Sequence, residues 1–182
     1  MTDLEIRFSG AGGQGLQLAA KLLSAMMAEQ GRRASLSQAY EPTSRGGLSR
    51  ADVVISENAE GFPLVTALDY LVILDQIAVP ASEGLIGDNT VVIVDESKVP
   101  NPPGQGAELH RLPLIQMALD AGTVRAANVV SLAVLGAVSG LCGEEELVRH
   151  VSAAVPERFR NLNIAACRAG FACVSVPALQ VV

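Results

Sequence analysis

The feature that most constrains the fold is a glycine-rich turn that joins an apolar, strand-like run to a helix-like run. The segment FSGAGGQGLQLAAKLL, residues 8–23, places four glycines within six residues. A tight glycine turn between a strand and a helix is typical of the first unit of an α/β sheet. We therefore predict a strand over Leu4–Gly10 and a helix over Gln14–Gln30.

The rest of the chain continues this alternation. Short β-branched runs bounded by turn residues predict strands at Ala51–Ser56, Tyr70–Asp75 and Thr90–Asp95. Helical patterns follow at Leu114–Ala121, Ala127–Cys142, Glu144–Ala154 and Pro156–Gly170. The order predicts an α/β fold: one domain over residues 1–182, three-layered, with a mostly parallel Rossmann-like sheet and helices on both faces.

Composition excludes several classes of protein. Apolar residues make up 49% of the chain, charged residues only 18%, and the net charge is -6. These values exclude a disordered chain and a polybasic nucleic-acid binder. The opening residues MTDLE have neither the basic nor the apolar region of a secretory signal, so we expect a cytoplasmic protein. The apolar run Ala126–Cys142 carries polar residues and fits a buried helix better than a membrane span.

The three cysteines predict neither a metal site nor an iron–sulfur cluster. Cys142, Cys167 and Cys173 are odd in number and have no C-x-x-C spacing. We interpret them as buried small hydrophobic residues in a reducing compartment.

The glycine turn has the chemistry of an anion site. Gly10, Gly12 and Gly15 match G-x-G-x-x-G, and Gly13 is an additional glycine. Glycine lets backbone N–H groups approach a ligand, and the helix amino terminus supplies partial positive charge to a pyrophosphate. Gln14 either caps the helix or reaches a ligand carbonyl.

Other interpretations of the turn remain open. A nicotinamide dinucleotide site would require an acidic residue about 20 positions further on, at the end of the next strand. Residues 35–38 contain none, and Glu41 comes later, inside another motif. Arg32 and Arg33 would either meet the 2′-phosphate of NADP or cap the first helix beside Gly31. The glycines would also serve a purely structural purpose if they only let the helix pack closely on the sheet.

A second motif lies about 30 residues after the first. The segment SQAYEPTSRGGLSRADVVIS, residues 37–56, leads from Tyr40 and a proline turn through Arg45, Gly46 and Gly47 into a strand. Arginine makes bidentate hydrogen bonds to phosphate or carboxylate, and the adjacent glycines allow close approach. Arg45 is therefore either a ligand clamp or a tie between loops or subunits.

Together the two motifs resemble the gamma subunit, or gamma domain, of the 2-oxoacid:ferredoxin oxidoreductases, the group of the pyruvate, 2-oxoglutarate, ketoisovalerate and indolepyruvate enzymes. The later strands, Asn128 with its apolar helix, and the closing helix with NLNIAACRAGF are similar as well. One departure is the turn Tyr40-Glu41-Pro42-Thr43, where the family tends to have Tyr-Gly-Pro-Glu.

The resemblance implies one subunit of an enzyme that oxidatively decarboxylates a 2-oxoacid, forms an acyl-CoA and reduces ferredoxin. It implies alpha and beta subunits, and a ferredoxin-like delta subunit in some complexes, as partners that carry thiamine diphosphate, magnesium and the iron–sulfur clusters. We expect this chain to hold no metal and no catalytic residue, to be inactive alone, and to self-associate when isolated. The alternatives are a free-standing NAD(P)-dependent oxidoreductase and a non-catalytic interaction module.

The resemblance also implies coenzyme A, a thiol carrier that contains ADP, as the ligand that we expect for this chain. The candidate contact residues for CoA or for the adjoining subunit are Gly10, Gly12, Gly13, Gln14, Gly15, Tyr40, Arg45, Gly46 and Gly47.

Overall fold

The computed structural model describes residues 3–41, 46–56, 64–104 and 108–175. Six strands in these ranges form one sheet with the order β2-β3-β1-β4-β5-β6. The strands are Leu4–Ala11 (β1), Arg33–Tyr40 (β2), Leu48–Ser56 (β3), Leu68–Ile73 (β4), Ile86–Asp95 (β5) and Glu108–Leu112 (β6). The α-helices are Leu16–Glu29 (α1), Leu114–Asp120 (α2), Ala127–Ser139 (α3), Glu144–Ala154 (α4) and Glu157–Ser175 (α5).

The predicted α/β architecture with a mostly parallel sheet is confirmed. Strands β1, β4, β5 and β6 pair in parallel, whereas β3 is antiparallel to both of its neighbours, β1 and β2. The chain therefore turns from β2 into β3 at the same end of the sheet as the carboxyl end of β1. In that register Ala11 lies opposite Leu48.

Two strands, β2 and β6, were not predicted. Most β2 side chains are exposed, and no β6 side chain is fully buried. Both strands are at the edges of the sheet, so neither has the buried apolar face that produces an alternating pattern in the sequence. All five helices were predicted, with ends that differ by a few residues.

The two faces of the sheet are covered differently. The first face, which presents Phe8, Val53 and Ile93, packs in one core cluster with residues from all five α-helices. The second face presents Ile73 and Val94 and packs against the segments that follow β4 and β5. Among the described residues, the helices on this second face are two single 3-10 turns, at residues 76–78 and 83–85.

A buried ion pair lies on the second face. Arg7 Nε donates to Asp52 Oδ1 at 2.7 Å, and Arg7 Nη2 donates to Asp52 Oδ2 at 2.9 Å. Arg7 Nη1 donates to the carbonyl oxygen of Ala81 at 3.0 Å. The two side chains are 3% and 8% exposed, so both charges are removed from water and the guanidinium is satisfied on several sides. The pair ties β1 and β3 to the segment after β4.

Candidate functional site

The glycine turn lies at the carboxyl end of β1 and ends at the amino terminus of α1. Gly12, Gly13 and Gly15 are exposed, and Gly13 and Gly15 have φ values of 92° and 75°. Residues with side chains rarely adopt this left-handed region. Gly15 is the N-cap of α1 and, having no side chain, leaves the first N–H groups of the helix without a side-chain cap. The turn thus presents backbone N–H groups at the positive end of a helix.

The side chain of Gln14 fixes the turn to the sheet. Its Oε1 accepts a hydrogen bond from the backbone N–H of Ala11 at 2.8 Å, and its Nε2 donates to the carbonyl oxygen of Leu74 at 3.1 Å. A Cβ atom at Gly10 would lie 2.2 Å from Gln14 Oε1. Gly10 therefore makes room for the glutamine, and both ends of the side-chain amide have partners within the chain.

Asn128 supports the turn from the other side. Its Nδ2 donates to the carbonyl oxygen of Gly15 at 3.0 Å, although the two residues are far apart in sequence. A Cβ atom at Gly15 would lie 2.6 Å from that nitrogen. Asn128 is 3% exposed and lies in the first turn of α3, so this contact fixes the start of α3 against the start of α1.

The structure brings the two sequence motifs together. The backbone N–H of Gly12 donates to the carbonyl oxygen of Gly47 at 2.8 Å. Gly46 beside it is exposed with φ of 72°, and Gly47 is buried. The hairpin turn that carries the second motif therefore lies directly against the glycine turn. Arg45, the predicted cationic partner, lies outside the described residues.

The carboxylate of Glu41, which follows Tyr40, forms a hydrogen bond within the hairpin. The backbone N–H of Glu41 donates to the carbonyl oxygen of Leu48 at 2.9 Å, and Glu41 Oε2 accepts from the N–H of Leu48 at 3.2 Å. Glu41 therefore extends the β2–β3 ladder by one residue. Tyr40 is 71% exposed and projects from the end of β2.

A cavity of about 530 Å³ opens beside the glycine turn. The residues that immediately precede α1, α3 and α5, namely Gly15, Ala126 and Pro156, all line it. The amino termini of three helices thus converge on one space, and their dipoles add at its wall. A cavity of this volume accommodates a nucleotide-sized ligand.

Side chains of three kinds complete the cavity wall. Arg125 is an exposed cation without an ion-pair partner among the described residues. Phe159 is 37% exposed, and the guanidinium of Arg158 lies 4.7 Å from the centre of its ring. Asn128 and Asn163 contribute amide groups. The wall therefore combines positive charge, an aromatic surface and hydrogen-bonding groups.

The sequence motifs did not indicate these wall residues as ligands. Arg125, just before α3, and Phe159, in α5, belong to no recognisable motif, although they line the same cavity as the glycine turn. Asn128 gave a usable signal, since it is a polar residue in the first turn of a mostly apolar helix. Gly13 and Gly15 are the predicted site residues that line the cavity.

Two of the three cysteines are buried in the core, as predicted. Cys142 and Cys167 are buried, and burial raises the pKa of each thiol to about 12. Cys173 is only partly buried, and its Sγ contacts the carbonyl oxygen of Gly170 at 3.2 Å. The described part of the chain contains no cluster of metal-binding side chains and no helix long and apolar enough to cross a membrane.

A family model and a curated protein both match nearly the whole chain. The family model described as pyruvate ferredoxin/flavodoxin oxidoreductase matches residues 5–173. A 2-oxoglutarate synthase subunit KorC from Archaeoglobus fulgidus is 32% identical over 172 residues, which are 93% of this chain and 87% of that protein.

Solved structures agree in fold. The gamma subunit of a keto/oxoacid ferredoxin oxidoreductase from Geobacter sulfurreducens superposes with a TM-score of 0.82 at 34% identity, covering 95% of this chain and 99% of its own. A 2-oxoglutarate:ferredoxin oxidoreductase from Magnetococcus marinus, solved with 2-oxoglutarate, coenzyme A and succinyl-CoA, superposes with a TM-score of 0.85. At 20% identity that likeness shows the fold alone, and it covers all of this chain and 32% of the larger one.

Proposed function

The chain belongs to the pyruvate ferredoxin/flavodoxin oxidoreductase family, and from this we propose that it is the gamma subunit of a 2-oxoacid:ferredoxin oxidoreductase. Such a complex oxidatively decarboxylates a 2-oxoacid to an acyl-CoA and passes the electrons to ferredoxin. The resemblance found in the sequence is thereby confirmed at the level of the family, since the match runs through nearly the whole chain.

We further propose that the redox cofactors belong to partner subunits. The cysteines of this chain lack the spacing that holds an iron–sulfur cluster, and its glycine turn offers backbone donors rather than ligands for a metal. Thiamine diphosphate, magnesium and the clusters would then reside on alpha, beta and, where present, ferredoxin-like delta subunits. Those cofactors supply the decarboxylation and electron transfer, and this chain supplies binding surface.

The ligand that we assign to this chain is the nucleotide end of coenzyme A. The main evidence for this assignment is that three helix amino termini and the glycine turn converge on one cavity. Coenzyme A carries a pyrophosphate and a further phosphate on its ribose, so it requires the positive potential that this wall provides. The N–H groups at the start of α1, beside Gly13 and Gly15, are suited to the pyrophosphate.

The remaining wall groups fit the rest of the nucleotide. Arg125 is suited to a phosphate, because a guanidinium pairs with phosphate oxygens in bidentate geometry. One face of the Phe159 ring is occupied by Arg158, and the other is suited to stacking on a purine base. In this arrangement Gln14 and Asn128 position the turn, since their amide groups already bond to backbone carbonyls.

The test compares two arginine variants in the assembled complex. Arg125→Gln removes the cation from the cavity, whereas the control Arg111→Gln removes a cation from exposed β6, which does not line the cavity. Because a hydrogen bond to a charged group contributes about 1.5–3 kcal/mol, we expect Arg125→Gln to raise the KM for CoA at least about tenfold. The KM for the 2-oxoacid should stay unchanged.

Two outcomes would contradict the assignment. The first is a KM for CoA that Arg125→Gln leaves equal to that of the control variant. The second is tight binding of NAD(P) by the chain alone with turnover of a nicotinamide, measured by calorimetry and absorbance, which would support the free-standing dehydrogenase instead.

A further inference from the structure

Strand β2 forms one edge of the sheet. Strand β2 pairs with β3 through eight consecutive residues without a bulge, and no described strand lies on its other side. It contains no proline, and its only charged residue is Arg33. Six of its eight side chains are exposed, including Tyr40 at 71%. Such a long, regular edge presents a row of backbone donors and acceptors that favours pairing with another strand.

The opposite edge of the same sheet is guarded. Strand β6 has only five residues, and three of them, Glu108, His110 and Arg111, are ionisable. Short strands with charged side chains are the usual protection of an edge against pairing. Of the two edges, β2 is therefore the one that favours pairing with another strand.

We propose that two copies of this chain associate through antiparallel pairing of their β2 strands around a two-fold axis at Ser37. A two-fold axis that relates two antiparallel strands of one sheet is perpendicular to that sheet, so each residue lies on the same face in both copies. Side chains alternate between the faces, and directly opposed residues share a face. The numbers of two opposed residues must therefore be both odd or both even, and their sum is even. A centre at Ser37 places Arg33 of one copy opposite Glu41 of the other, at both ends of the ladder. Two six-stranded sheets would thereby become one continuous sheet.

The side chains in this register are complementary in charge and in size. Arg33 and Glu41 are exposed and of opposite charge, and opposite charges across a strand pair are stabilising. Tyr40 would lie opposite Ala34, a large side chain against a small one. Glu41 belongs to the ladder, because its N–H already donates to Leu48. A centre at Leu36 would instead set Arg33 opposite Ala39 and form no ion pair.

The dimer is independent of the proposed CoA site. The described residues that line the cavity beside the glycine turn include none from β2. Loss of the dimer should therefore leave the KM for CoA unchanged, and failure of the CoA assignment would not affect the dimer.

Charge reversal tests the register in the full chain. We expect Arg33→Glu to raise the dimer dissociation constant at least about tenfold, since each of two attractive pairs becomes repulsive. Combining it with Glu41→Arg should restore association. The control is Arg111→Glu on the guarded edge, which should have no effect. Sedimentation equilibrium over a concentration series measures all four proteins, and a monomeric wild type or an unaffected Arg33→Glu dimer would overturn the proposal.

Cross-linking gives a second, independent readout. Ser37→Cys places two thiols opposite each other at the axis, where disulfide geometry is accessible. Ser35→Cys places its two thiols four residues apart along the strand, about 13 Å, which is too far. We expect a disulfide dimer under mild oxidation for Ser37→Cys alone. Equal cross-linking of both variants, or cross-linking of Ser37→Cys to a larger subunit in the purified complex, would overturn the two-fold pairing.

Discussion

Replacement of Gly15 by alanine should destabilise the chain for two separable reasons. The left-handed backbone at Gly15, with φ of 75°, costs an alanine about 1–2 kcal/mol. The new Cβ would also lie 2.6 Å from Asn128 Nδ2, and overpacking of this kind costs about 1–3 kcal/mol. We therefore expect Gly15→Ala to lower the free energy of unfolding by about 2–5 kcal/mol.

A double-mutant cycle with Asn128→Ala separates the two terms. Asn128→Ala alone removes the hydrogen bond to the Gly15 carbonyl, a loss of about 1 kcal/mol. It also removes the atom that the new Cβ would strike. In the double variant only the backbone strain and the lost bond remain, so its destabilisation should be about 1–3 kcal/mol smaller than the sum of the single changes.

Gly13→Ala is the matched control for this cycle. Gly13 has φ of 92°, and a Cβ there would meet no atom within 4 Å. Its replacement should cost only the backbone strain and should add to Asn128→Ala without coupling. Urea unfolding followed by circular dichroism gives all the free energies. Additive behaviour of Gly15→Ala with Asn128→Ala, or equal coupling for Gly13→Ala, would refute the proposed contact.

Three further changes test other parts of the fold. Replacing only Arg7 or only Asp52 by a neutral residue leaves a buried charge unpaired and should cost about 3–5 kcal/mol, whereas replacing both by apolar residues should cost less. The free energy of unfolding should fall as pH rises from 9 towards 12, because Cys142 and Cys167 have pKa values raised from 9.0 to about 12 and the unfolded chain releases their protons first. Asp95→Ala should cost about 2–4 kcal/mol, since its carboxylate accepts hydrogen bonds from three backbone N–H groups, one of them in the first turn of α2.

Each of these three predictions has a result that contradicts it. Equal stability of the single and double ion-pair variants would show that the buried charges are not coupled. A variant with alanine at both buried cysteines should lose most of the decrease in unfolding free energy above pH 9. An unchanged decrease would show that other groups cause it. Asp75→Ala is the control for Asp95→Ala, because within the described ranges the Asp75 carboxylate accepts a single hydrogen bond, from the N–H of Ile77 at 3.2 Å. An equal loss of stability would argue against the capping explanation.

Local sequence patterns predicted the elements that are buried on one face or more. Strand β5 and helix α3 have long apolar runs because they are covered by other parts of the chain. Strand β2 was missed because its side chains are exposed on both faces, so neither face selects apolar residues. Strand β3 was predicted from Ala51 but begins at Leu48. Its first residues are held in the strand by pairing with β2, and such pairing leaves no pattern in the local sequence.

Some residues of the candidate site could likewise be predicted from the sequence, and others could not. The glycine turn was identified because its backbone requirements restrict residue type, which leaves a signature in the sequence. Arg125 and Phe159 carry no such signature, because their position at the cavity follows from how α3 and α5 pack in three dimensions. The pairing of Arg7 with Asp52 left a trace in the sequence, since each is a charged residue with an apolar residue on either side.

The reversed direction of β3 also bears on the order in which the chain folds. Residues 4–56 form β1, α1 and the β2–β3 hairpin, so both motifs and the Gly12–Gly47 bond belong to one contiguous segment. The far wall of the cavity comes from residues 122–163, which closes a much longer loop. Because short loops close at smaller entropic cost, we expect the glycine turn and its hairpin to become ordered before the cavity exists.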